Sequence, residues 1–239
     1  MTWSIAAHDP ATGAFAVAVT TCAFAVGASC PFVRAGVGAV STQSMTNRYL
    51  GPAVLDGLAR GLSPAAAIEG ALVGDDGKHL RQIHAVDRHG RSAAFTGQHC
   101  VEWSGEITSA HISIAGNMLA GPAVLSDTYA ALVTNPDLPL AERMLGGLDA
   151  GEAAGGDRRG RQSAALVLVT TEDFPDLSIR VDDHTQPLVE LRRLLGIWQR
   201  ERAPFLRDAP SKARPSGMVD MDMIERRWAK AGLDLKFRR

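Results

Sequence analysis

The chain has 239 residues, of which 46% are hydrophobic and 21% charged, and its formal net charge is -1. Such a length makes one large domain or two small ones with a substantial core. The near-neutral balance excludes nucleic acid and anionic membrane as the main electrostatic partners. Aromatic residues are only 5%, and the abundant Ala and Gly suit closely packed sheets and helices.

Residues 2–7 and 14–21 are apolar or alternating runs on either side of "HDPATG", whose Asp, Pro and Gly suit a hairpin turn. The internal stretch "AFAVAVTTCAFAVGA" carries Thr and Gly, so it reads as buried strand rather than a membrane span of about 20 residues. "VGAVST" follows as a third strand, with Gly36 and Gly38 marking a tight turn or a close backbone approach. Two helices are predicted next, "NRYLGPAVLDGLARGL" and "SPAAAIEGALV", the second opening on an N-cap Ser63 with Pro64 at the first helical position. "RQIHAVDRHGRSAAFTG" reads as a second hairpin, and "HISIAGNMLAG" as a strand leading into the helix of "PAVLSDTYAALV". "LPLAERMLGGLDAGEAAGG" has helical spacing and ends in glycines. "QSAALVLVTT" and "LSIRVDD" are paired strands, and "QPLVELRRLLGIWQRER" is an amphipathic helix.

Hairpins alternating with pairs of helices favour antiparallel sheets over a doubly wound parallel one. The predicted fold class is α+β, two sheets covered by helices. Residues 1–200 form the main domain. Residues 201–217, rich in Pro, Ser and charge, read as a linker to a last short helix, the two making a tail over 201–239. No basic region precedes an apolar one at the N-terminus, and three cysteines (Cys22, Cys30, Cys100) form no metal-type pair, so a reducing cytoplasm is the expected setting. The Trp-bearing tail helix makes a homodimer or higher homo-oligomer the expected assembly.

Four segments, "TWSIAAHDPATGAFAVAV", "FVRAGVGAVSTQS", "IAGNMLAGPAVL" and "GEAAGGDRRGRQSAALVLV" with its continuation "IRVDDHTQPLVELRRL", together resemble the domain of unknown function 1028 family. That family is placed among the N-terminal-nucleophile hydrolases. The resemblance covers about residues 2–197 and implies a four-layer αββα sandwich. It leaves the substrate open, because a fold alone does not give a function.

Within that resemblance Thr2 becomes a nucleophile once Met1 is removed. Its own α-amine, with a reference pKa of about 7.7–8.0, would act as the base for its hydroxyl. The plain alternative is a Thr opening a strand. Arg34 stands where the proteasome-like branch has a Lys; always protonated, it would lower the amine's pKa and steady an oxyanion. Thr21 stands where that branch has an Asp, a departure, and would hydrogen-bond the nucleophile. Thr42, Gln43 and Ser44 cluster polar groups at the end of an apolar strand, where a substrate amide would satisfy them. Asn117, at a strand-to-helix transition, is an oxyanion donor or an ordinary cap.

"GGDRRGRQS" puts four charges directly before a buried strand. Asp157 would orient the N-terminal amine. Arg158 or Arg161 would pair with a substrate carboxylate through the planar guanidinium fork, with Gln162 beside them. The reading is a non-peptidase amidohydrolase acting on a small polar amide, one with a carboxylate fitting the arginines, without a cofactor or metal. Two alternatives stay open. One is a metabolite-binding module on the same fold. The other is a metal-assisted hydrolase using Asp182, Asp183 and His184, residue types that suit a metal. Cys22 or Cys30 as nucleophile is a further alternative, against which stand their apolar surroundings.

Overall fold

The computed structural model describes residues 2–233. The chain divides into two compact units, Met1–Leu191 and Arg192–Arg239.

In the first unit β1 (Thr2–Asp9) and β2 (Ala14–Thr21) form the expected hairpin. They sit in the middle of a six-stranded antiparallel sheet completed by β7 (Gly105–Ser109), β8 (Ile112–Asn117), β9 (Ser163–Val169) and β10 (Leu177–Val181), in the order β10-β9-β2-β1-β8-β7. A four-stranded antiparallel sheet has the order β3-β4-β5-β6, from β3 (Pro31–Arg34), β4 (Gly38–Ser44), β5 (Arg81–Asp87) and β6 (Ser92–Thr96). β3 and β7 were not anticipated. Each is short and only partly buried, so neither carries the apolar alternation that announces a strand. Gly36 turns the β3–β4 hairpin with φ +67°, and a Cβ at Gly38 would stand 2.5 Å from the Val86 carbonyl oxygen. Both glycines are therefore required where they stand.

Helices α1 (Leu50–Ala59) and α2 (Pro64–Leu72) bury Val54, Leu55, Leu58, Ala67 and Ile68 against Val40, Ile83 and Ala85 of the smaller sheet. The Ser63 side chain accepts from the Ala66 amide at 3.2 Å, a cap worth about 1 kcal/mol. Helices α3 (Ala123–Thr134) and α4 (Leu140–Ala153) cover the outer face of the larger sheet. There Gly147 passes Ile5 and Gly151 lies against Trp3. The architecture is a four-layer αββα sandwich.

Alternation along the strands sends one set of side chains into the layer between the sheets. At one end that layer is apolar: Ala6, Phe15, Val17, Ala39, Val86 and Val169. At the other end, where Thr2 lies, it is built of hydroxyls, amides and an imidazole.

α5 (Pro187–Ile197) leads out of the first unit. In the second, the stretch read as linker contains a short helix, α6 (Ala203–Leu206), with Pro204 in its first turn, where proline is tolerated. α7 (Met221–Lys230) is capped by Asp220, which accepts from the Met223 amide at 3.0 Å. Arg227 pairs with Asp208 at 2.8 Å and Phe205 packs on Trp228. Among the described residues no helix is long and apolar enough to cross a membrane.

Candidate functional site

Thr2 begins the central strand of the larger sheet, between Thr21 at the end of β2 and Asn117 at the end of β8. Its hydroxyl donates to Thr21 Oγ1 at 3.2 Å. From the other sheet, the Gln43 amide reaches the Thr2 carbonyl at 3.4 Å. Thr2 is 6% exposed, so a small opening leads to it. Loops from both sheets surround that opening, because the strand ends there belong to β2, β4, β6, β8 and β10 and the strand starts to β5, β7 and β9.

These loops are tied to one another. The Asp157 carboxylate accepts from the amides of Cys22 and Arg159, both at 2.8 Å. The Gln162 amide donates to the Thr21 carbonyl at 3.0 Å, and the Met118 amide to the Val101 carbonyl at 2.8 Å. Arg81 binds the Met45 carbonyl at 2.6 Å and forms an ion pair with Asp75 that holds this carboxyl well below the usual carboxylate range. Of four non-glycine residues with left-handed backbone among those described, three lie on this ring: Ala25, Ser44 and Met118, with φ of 54°, 70° and 55°. Ser44 and Met118 directly follow Gln43 and Asn117. Left-handed backbone costs a residue with a Cβ about 1–2 kcal/mol and concentrates at functional sites.

Below Thr2 the layer between the sheets is one hydrogen-bonded network. Gln43 Nε2 donates to Gln82 Oε1 at 2.8 Å and to the Ala115 carbonyl at 3.0 Å, leaving Oε1 to accept from Ser4 Oγ at 2.7 Å. Gln82 Nε2 donates to Gly116 O at 2.8 Å, Thr96 Oγ1 at 3.0 Å and Gly105 O at 3.2 Å, while Asn117 Nδ2 donates to Gln82 Oε1 at 2.9 Å. Since the Ser4 proton goes to Gln43, the 2.7 Å contact between Ser4 Oγ and His84 Nε2 makes the imidazole the donor. His84 Nδ1 has no well-formed hydrogen-bond partner among the described residues. Burial pushes the His84 pKa down to about 3, opposed by the Ser113 backbone.

Thr2, Thr21, Gln43 and Asn117 are thus brought together. Several expected roles are not met. Arg34 lies at the end of β3 paired with Gly38, whereas Gln43 is five residues further along β4, about 17 Å away at strand rise. The Arg34 guanidinium is half-exposed and pairs with Asp56 at 2.9 Å. Asp157 spends its carboxylate on Cys22 and Arg159 and so fixes the ring rather than the amine. Gln43 is 0% exposed and its amide is filled from within the layer by Ser4, Gln82 and the Ala115 carbonyl. Thr42 points to the opposite face of β4, where its hydroxyl donates to the Asn47 carbonyl at 3.3 Å. Arg161 pairs with Glu152. The guanidinium of Arg158 is exposed and has no carboxylate partner among the described residues, and its amide donates to the Met118 carbonyl at 3.3 Å. Gln162 Nε2 binds Asp183 at 3.1 Å.

Asp182, Asp183 and His184 do not converge. Asp182 pairs with Arg180 at 2.7 Å, Asp183 accepts from Gln162, and His184 Nδ1 accepts from the Gln186 amide at 3.0 Å. Among the described residues no three His, Cys, Asp or Glu side chains are grouped to hold a metal ion. The Cys30 thiol is pushed up to about 11 by burial, which leaves no thiolate for attack at neutral pH. Ser4, Gln82 and His84 escaped the sequence reading, although polar residues at alternate positions of otherwise apolar strands mark a polar layer.

A family model described as "Family of unknown function (DUF1028)" matches residues 2–191. The chain is similar to the crystal structure of a DUF1028 protein from Silicibacter pomeroyi, at 31% identity and a TM-score of 0.85 over 92% of this chain and 96% of that one. A second solved structure, Anbu (ancestral beta-subunit) from Yersinia bercovieri, aligns at 11% identity and a TM-score of 0.36, over 87% of this chain and 98% of that one. No curated protein matches the chain. The chain therefore belongs to the DUF1028 family, whose function is unknown.

Proposed function

We propose that the protein is an amidohydrolase of the N-terminal-nucleophile type, acting on a small carboxylate-bearing amide. The observation that supports this is the setting of Thr2: the hydroxyl of a strand's first residue, near a small opening, held between Thr21 and Asn117 and ringed by strained loops. Met1, whose removal the mechanism needs, lies outside the described residues. With Met1 gone, the Thr2 amine takes the hydroxyl proton as Oγ1 attacks the amide carbon. The proton passes to the departing amine, leaving an ester to Thr2, which water hydrolyses to free the acid and the enzyme. One Asn117 Nδ2 hydrogen is held by Gln82 and the other is available to the developing oxyanion. Arg158 would take the substrate carboxylate.

With Arg34 at the far end of its sheet, the base is the amine alone, and burial of Thr2 favours its neutral form. The limb of kcat/KM should fall as pH drops through a value at or below about 8. The test is the intact mass of the protein, followed by turnover of small amides by the parent chain and by Thr2→Ala. Quantitative retention of Met1, or full turnover by Thr2→Ala, ends this reading. Since Arg34 lies at the far end of its sheet and the Asp157 carboxylate is engaged by Cys22 and Arg159, a metabolite-binding module is the second reading; it would show saturable binding with no Thr2-dependent turnover.

A further inference from the structure

Two of the strands that flank or support Thr2, β2 and β4, lead within three residues to a large apolar side chain held out to solvent, and a third such side chain lies in the loop bonded to the end of β8. Phe24, 70% exposed, follows Thr21 by three residues, and Met45, 61% exposed, follows Gln43 by two. Val101, 47% exposed, has its carbonyl on the Met118 amide, next to Asn117. Exposed apolar residues are unremarkable when scattered singly, and these three are not scattered: their loops all lie at the Thr2 end of the two sheets.

Their backbones are pinned. Ser163 Oγ donates to Ala23 O at 2.5 Å and the Ala25 amide to Asp182 O at 3.0 Å, one on each side of Phe24. The Met45 amide donates to Leu80 O at 3.2 Å while its carbonyl takes Arg81 at 2.6 Å. Fixed backbone under an exposed apolar side chain is the arrangement of a presented surface, since a frayed loop lacks those bonds. The same end carries Arg158 beside Met118. Arg159 and Arg161 are already paired there, with Asp157 and Glu152.

Resting on the Thr2 reading above, we propose that the substrate is amphipathic: an amide bearing an acyl or aryl group of several carbons along Phe24, Met45 and Val101, and a carboxylate against Arg158. N-acyl amino acids are the simplest members of that class. A ligand of this kind covers apolar surface that water meets in the free protein, and its charge is matched bidentately by a guanidinium that has no carboxylate partner among the described residues.

The experiment uses N-acylglycines from acetyl to octanoyl, with their methyl esters. Binding is measured by calorimetry on the full-length Thr2→Ala protein, and turnover on the parent chain. Full burial of a methylene is worth about fourfold in affinity; at this half-open rim about two- to threefold per methylene is expected, levelling off once the rim is covered. Phe24→Ser and Met45→Ser should each flatten that slope, while Arg158→Gln should weaken the acids about tenfold and the esters hardly at all. A flat chain-length series, a slope that survives the Phe24→Ser/Met45→Ser double variant, or absence of binding overturns the proposal. The two readings fail separately. Thr2-dependent turnover with a flat series sinks the amphipathic substrate alone, and a steep binding series without Thr2-dependent turnover sinks the hydrolase alone.

Discussion

Replacing Gln43 by leucine would remove the amide that joins the two sheets beneath Thr2. The side chains are of similar volume, so no cavity opens, and the loss is confined to hydrogen bonds. Three well-formed ones disappear, from Ser4 at 2.7 Å, to Gln82 at 2.8 Å and to Ala115 O at 3.0 Å, together with the longer reach to Thr2 O at 3.4 Å. Ser4 can turn to Ser41 Oγ at 3.0 Å, and Gln82 Oε1 keeps Asn117. Two backbone carbonyls lose a donor in a layer that water does not reach. At about 1 kcal/mol net per bond, and a further 1–3 for a buried group left short, less about 1 for the leucine's own burial, the cost is about 3–5 kcal/mol. That is a large fraction of a typical total of about 5–15 kcal/mol.

Urea unfolding of Gln43→Leu, Gln82→Leu and the double variant would test this. Because the two amides share one bond, the double variant should be less destabilised than the sum by about 1–2 kcal/mol. A Gln43→Leu loss under about 1 kcal/mol at unchanged m-value would refute the claim that the Gln43 amide is bonded within a dry layer. Additivity within about 0.3 kcal/mol would refute the direct contact.

His84 supplies a pH test. Its folded pKa lies near 3 and its unfolded value near 6.5, so between those limits the unfolded chain binds the extra proton. Stability is then present above about pH 6.5 and lost as pH falls, by about 2 kcal/mol from this group between pH 7 and 5, and denaturation curves of His84→Gln should lack that component of the slope. Of three thiols, only Cys22 is more than marginally exposed. A thiol reagent at pH 8 should therefore modify about one per native chain and three after unfolding, and fast labelling of Cys30 would contradict its burial. In Gly116→Ala the new Cβ would meet Leu119 Cδ1 at 2.5 Å and Trp3 Cβ at 2.9 Å. Thermal melts should show a loss of about 1–3 kcal/mol from that overpacking, and an unchanged melting temperature would mean that β1 and β8 can part without cost.

The elements that were legible in the sequence are those whose own pattern states their environment. β1 and β2 alternate or run apolar around a turn of Asp, Pro and Gly, and Ser63-Pro64 announces α2, because the physics of each is local. β3 and β7 were missed since a short edge strand is fixed by its neighbour rather than by its own sequence. The site divided along the same line. Thr2, Thr21 and Asn117 come together through strand register, which the hairpin and the paired strand ends already imply. Arg34 and Asp157 were placed by their distance along the chain from a strand end, and that says nothing about direction. β3 carries Arg34 to the end of the smaller sheet remote from Thr2, and the backbone amides of Cys22 and Arg159 take the carboxylate of Asp157. The groups seen to touch Thr2 from Thr21 and Gln43 are uncharged, and Arg158 on the ring has no carboxylate partner among the described residues. On the proposed reading, Arg158 holds the substrate and activation falls to the Thr2 amine, so the intact mass that reports the state of Met1 comes before any assay of turnover.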